Sequence, residues 1–156
     1  MRRVRSGLVA LLFPLSLLFL VGRHAGAQFA TLRVSGSPAT MQVQGAAAGS
    51  MALPVVESST TYTFANIGGT NSRKIVAQLN APMPAGVTLA VTFDAPSNAV
   101  RIPNVVLDAT PRDVLTGIDF SLGSSGTITY TLSATPAAGV VPKQSRTVTL
   151  TIVSAP

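Results

Sequence analysis

The sequence contains no cysteine and no tryptophan. Without thiols there can be no disulfide, thiolate nucleophile, iron–sulfur cluster or lipid-modified cysteine. The only histidine is His24, which falls in an N-terminal segment that reads as removable. The remainder lacks imidazole, which excludes Ser–His–Asp and Cys–His catalysis and histidine-bearing zinc sites. Charged residues make up 10% of the chain, against roughly 25% in an ordinary soluble domain. Aromatic residues make up 5%, too few for the platforms on which sugars or bases stack. No enzymatic activity is expected, and no catalytic, cofactor-binding or metal-binding residue is assigned.

What is present begins with an export signal. Arg2, Arg3 and Arg5 open the chain, and an apolar run over 8–21 follows, interrupted only by Ser16. Ala25-Gly26-Ala27 then supplies the small residues that a signal peptidase accepts. The apolar run is shorter than the roughly 18 residues a spanning helix needs. Residues 1–27 are therefore expected to be a cleaved signal peptide. Arg2-Arg3 lacks the flanking residues of a twin-arginine signal, so the general secretion route is expected. The protein should be secreted, at the cell surface or periplasmic, and should touch the membrane only through this signal.

Cleavage changes the electrostatics. The whole chain carries a formal charge of +6. In residues 28–156 the bases are Arg33, Arg73, Lys74, Arg101, Arg112, Lys143 and Arg146, against Glu57, Asp94, Asp108, Asp113 and Asp119. The mature net charge is then +2. These bases are scattered rather than arranged in a stripe, so no nucleic-acid surface is expected.

Residues 28–156 read as one all-β domain. Period-two alternation marks strands over 29–34, 40–44, 61–65, 74–79, 87–93, 127–132 and 147–152. The runs 127–132 and 147–152 nearly match, each alternating threonine with a large apolar residue. Such alternation sends apolar side chains to a buried face and β-branched threonines to the wet one. Punctuation falls at 36–38, 45–50, 68–69, 82–86, 96–98 and 123–126, and 134–145 reads as a long hairpin connection. About seven to nine strands so spaced predict an immunoglobulin-like antiparallel β-sandwich with Greek-key connections. A transmembrane barrel would need aromatic girdles, and the chain is too poor in aromatics for them.

Candidate chemistry is thin. Asp108, Asp113 and Asp119 lie close in sequence and could be read as a calcium loop, but their spacing fits no known loop pattern and Arg112 sits among them. Solvated acids and an ion pair are the simpler expectation. Gly68-Gly69 is read as a turn, because no phosphate-binding GK[ST] follows it. Tyr62 and Tyr130 sit on apolar alternating faces and are read as core-edge aromatics.

The strand KIVAQL, the turn MPAGV leading into TLAV, and the closing SATPAAGVV and RTVTLTI lie within residues 73–152. This stretch resembles short bacterial secreted proteins of the immunoglobulin-like or fimbrial-type sandwich kind. The resemblance implies a structural fold and carries no catalytic residue. The expected role is a structural or surface-interaction subunit (pilin-like, coat-like or matrix) working by β-strand association with protein partners or itself. Residues 29–43 are the candidate exchanging strand. The alternative is a monomeric binding module using sandwich-end loops at 95–103 and 108–119.

Overall fold

The computed structural model describes residues 29–45, 51–67 and 72–155. The expected signal segment at 1–27, with His24, and the expected turn at Gly68-Gly69 lie outside the described residues. The described chain forms nine strands. These are β1 Phe29–Ser35, β2 Val55–Ile67, β3 Arg73–Leu79, β4 Val87–Phe93, β5 Val100–Arg101, β6 Val105–Val106, β7 Arg112–Ile118, β8 Ser121–Ala134 and β9 Val148–Ser154. One 3₁₀ turn, Pro136–Ala138, is the only helical element among the described residues.

The strands build two antiparallel sheets packed as a β-sandwich, as expected. One sheet has the order β1-β2-β8-β4-β6 and the other β5-β7-β3-β9. From β2 onward, each strand lies in the opposite sheet from the strand before it. No two consecutive strands after β1–β2 are therefore hydrogen-bonded neighbours.

The alternation builds the core. Tyr62 and Phe64 of β2, Leu89, Val91 and Phe93 of β4, and Ile128 and Tyr130 of β8 face inward from the first sheet. Ile75, Ala77 and Leu79 of β3 and Val114, Leu115 and Ile118 of β7 meet them from the second. Burying each Val, Leu, Ile or Phe side chain contributes about 1.5–3 kcal/mol relative to exposure, so the interior holds the fold without cross-links. Thr61, Thr63, Thr127, Thr129 and Thr131 occupy the intervening outward positions.

Four local readings are corrected. Residues 40–44 form no strand. Gly36, at φ 83, ends β1 so close to β2 that a Cβ there would meet Ser59 O at 2.8 Å. The chain then leaves the ladder, yet Met41 and Val43 stay half-buried with Gln42 exposed between them. The alternation predicted which way the side chains face, but not a pairing partner. Residues 123–126 do not interrupt the chain but lie inside β8, where small side chains accommodate a register shift opposite Phe64 and Asn66.

The segment 134–145 is not a hairpin connection, because β8 and β9 belong to different sheets. It crosses the end of the sandwich instead. Thr135 N–H donates to Gly86 O (2.8 Å) and Arg146 Nε to Pro82 O (3.1 Å), fastening both ends of the crossing to the β3–β4 connection. Finally, 108–119 is not a free loop, since most of it is β7.

Candidate functional site

Four strands form the sheet edges: β1 and β6 in one sheet, β5 and β9 in the other. On one side of the sandwich the edges are the two-residue strands β5 and β6, separated in sequence by Pro103. Short strands and proline deny a neighbouring chain a template. On the other side β1 and β9 lie together, each seven residues long. Among the described residues this is the open side.

Of the four edge strands, β9 is the one that is both long and free of charge. Its sequence is VTLTIVS, whereas β1 contains Arg33 and β5 contains Arg101. Strand β9 pairs antiparallel with β3 from Leu79↔Val148 to Arg73↔Ser154. Just beyond these limits, Asn80 N–H donates to Thr147 O (3.0 Å) and Ala155 N–H to Ser72 O (2.9 Å). Those bonds fix the parity of the strand. Thr147, Thr149, Thr151, Val153 and Ala155 turn their backbone groups toward β3. Val148, Leu150, Ile152 and Ser154 then turn theirs outward, and no strand pairs with that edge among the described residues.

The side chains along the open side are incompletely covered. Val148, Leu150 and Ile152 stand opposite buried Leu79, Ala77 and Ile75 and so face inward, yet each is only half-buried. On β1, Leu32 and Val34 stand opposite buried Phe64 and Tyr62. Leu32 is half-buried and Val34 is 47% exposed. Apolar rows from both sheets thus reach solvent where a further strand would close the sandwich. The backbone amides and carbonyls of β9 supply directional bonds there, and the apolar rows supply area.

The sequence reading put strand exchange at 29–43. In this chain 29–35 is β1, paired with β2 from Phe29↔Ile67 to Ser35↔Thr61. Reading the sequence missed the edge on β9, because its pattern matches that of 127–132, which lies in central strand β8. Pattern reports which face is buried and is silent on the number of lateral neighbours.

The aspartates do not converge. Asp108 is bound by the Arg112 guanidinium, Asp113 Oδ1 lies 3.0 Å from Lys74 Nζ, and Asp119 Oδ1 accepts from Ser72 Oγ at 2.7 Å. The Arg112 hydrogen bond, aided by the Thr110 amide, holds the Asp108 carboxyl below the usual carboxylate range. No group of three or more possible metal ligands occurs among the described residues. Near the short-edged side, an open cleft is lined by Ile102, Pro103, Asn104, Val105, Asp108 and Arg112. Asn104 adopts φ 52 there, and its N–H donates to Thr92 Oγ1 at 2.9 Å.

No family model matches this chain, and no characterised protein matches it either.

Proposed function

We propose that this protein is an exported, non-enzymatic structural or surface-interaction subunit that works by β-strand association at its open side. The supporting observation is the β9 edge: seven uncharged residues with alternate backbone groups turned outward and an inward apolar row half-covered. An added strand would satisfy the backbone groups and bury the apolar row at once, which is how strand addition combines affinity with specificity. The export signal and the threonine-rich outer faces fit a role at the cell surface or in the periplasm.

The test is Ile152→Pro. The Ile152 N–H points away from β3, so proline removes an edge donor without breaking the β3–β9 ladder. Protein recovered from expressing cells is compared with the variant by sedimentation velocity over a concentration series. Wild type is expected to associate, and the variant to stay monomeric with an unchanged far-ultraviolet dichroism spectrum. A wild type that stays monomeric throughout overturns the reading. The cleft at Asn104 and Arg112 supports a second reading, a binding module at the short-edged side, and that reading alone survives a monomeric wild type.

A further inference from the structure

The strand-association reading, tested as association between copies, leaves open which strand of a second copy sits on β9, and the residues of β9 point to an answer. Resting on that reading, we infer that the occupant is β9 of a second copy, running antiparallel with Leu150 opposite Leu150 across a twofold axis.

Three observations converge on this register. First, the core of β9 is symmetric in kind about Leu150: Val148, Thr149, Leu150, Thr151, Ile152. Antiparallel self-pairing centred there sets Val148 against Ile152 of the second copy and Thr149 against its Thr151. Every apolar side chain meets an apolar one, and every threonine meets a threonine. Such matched cross-strand pairs each contribute about 0.2–1 kcal/mol relative to alanine pairs.

Second, the backbone parity fits. Val148, Leu150 and Ile152 point their amides and carbonyls outward, so the pairs 148–152, 150–150 and 152–148 become hydrogen-bonded pairs. Thr149 and Thr151 become the close, non-hydrogen-bonded pairs between them. A shift of one residue would place outward-directed groups opposite inward-directed ones and lose the ladder.

Third, nothing in Val148–Ser154 opposes self-pairing, because the strand has no charge and no proline. The opposite side of the sandwich carries only the two-residue edges β5 and β6. One competent side per copy gives an isologous contact, which closes at two subunits. The pairing joins the four-stranded sheets of two copies into one continuous sheet.

The absence of native cysteine makes disulfide trapping clean. Thr149 and Thr151 are exposed and tolerate Thr149→Cys and Thr151→Cys without touching the core. In the inferred register, Cα149 and Cα151 of the second copy lie about 4.5 Å apart, within disulfide reach. Two copies of residue 149, or two of residue 151, lie about 8 Å apart, beyond it. Mixing Thr149→Cys protein with Thr151→Cys protein under mild oxidation is expected to give at least about tenfold more covalent dimer than either variant alone. Dichroism checks that each variant folds.

Two results overturn the inference differently. If the wild type associates in sedimentation but the mixture gives no preferential cross-link, the register and the occupant are wrong and strand association survives. If Thr151→Cys alone cross-links best, the register is wrong and the occupant, β9 of a second copy, stands. If the wild type is monomeric and no pair cross-links, both readings fall together.

Discussion

The Tyr62 hydroxyl on β2 donates to the main-chain carbonyl of Asp94, just past the end of β4. Strand β8 lies between these two strands, and Gly126 of β8 gives the tyrosine its passage. A Cβ on Gly126 would meet Asp94 O at 2.7 Å and both Cε1 and the hydroxyl of Tyr62 at 2.9 Å. The same ring packs against Phe93, with centroids 5.0 Å apart and planes tilted by 54°. One side chain thus fastens three strands of the larger sheet.

Tyr62→Phe should leave the Asp94 carbonyl without its donor and cost about 1–3 kcal/mol. Gly126→Ala should cost about 1–3 kcal/mol by overpacking the same point. The double variant should cost less than the sum, because removing the hydroxyl also removes one of the three close contacts that the added methyl would make. Urea denaturation of all four proteins measures this.

Alkali should unfold the protein through the same residue. Burial, with a smaller contribution from the Asp94 charge, pushes the Tyr62 hydroxyl up to about 12. An unfolded tyrosine ionises near pH 10. The folded state therefore holds its proton more tightly between those values, and stability falls as pH rises from about 10 toward about 12. Tyr130 is shifted in the same direction by burial and by Glu57. Tyr62→Phe should flatten the fall, as read from melting temperature against pH.

Calcium should leave the melting temperature unchanged at millimolar concentration. Asp108, Asp113 and Asp119 are engaged separately by Arg112, Lys74 and Ser72, and no three of the acids share a site among the described residues. Weak extracellular calcium modules bind at about 10⁻⁴–10⁻³ M, so a rise in melting temperature over that range would refute the assignment.

The inner faces were legible because a period of two is a property of the strand alone. Ile75, Ala77 and Leu79 are buried as their alternation with Lys74, Val76 and Gln78 predicts, and Leu89, Val91 and Phe93 follow the same rule. Strand neighbours were not legible, because they depend on where the chain returns. Runs 127–132 and 147–152 look alike, yet Ile128 and Tyr130 are buried while Leu150 and Ile152 are half-buried. The difference lies in β2 and β4 flanking β8, whereas β3 alone flanks β9. Residues 123–126 misled for a related reason. Their small side chains read as a turn, whereas Gly126 is small because Tyr62 passes beside it. The candidate site shared this blindness, since an open edge is a missing neighbour and leaves no residue type to mark it.

Amide hydrogen exchange along β9 tests the open edge most directly. In dilute, monomeric protein, the Thr149, Thr151 and Val153 amides, bonded to β3, should be protected, while those of Leu150 and Ile152 exchange near the rate of free peptide. Raising the concentration into the associating range should protect Leu150 and Ile152 as well. Equal protection of all five amides in the dilute monomer would contradict the account, because the edge would then be closed by the chain itself.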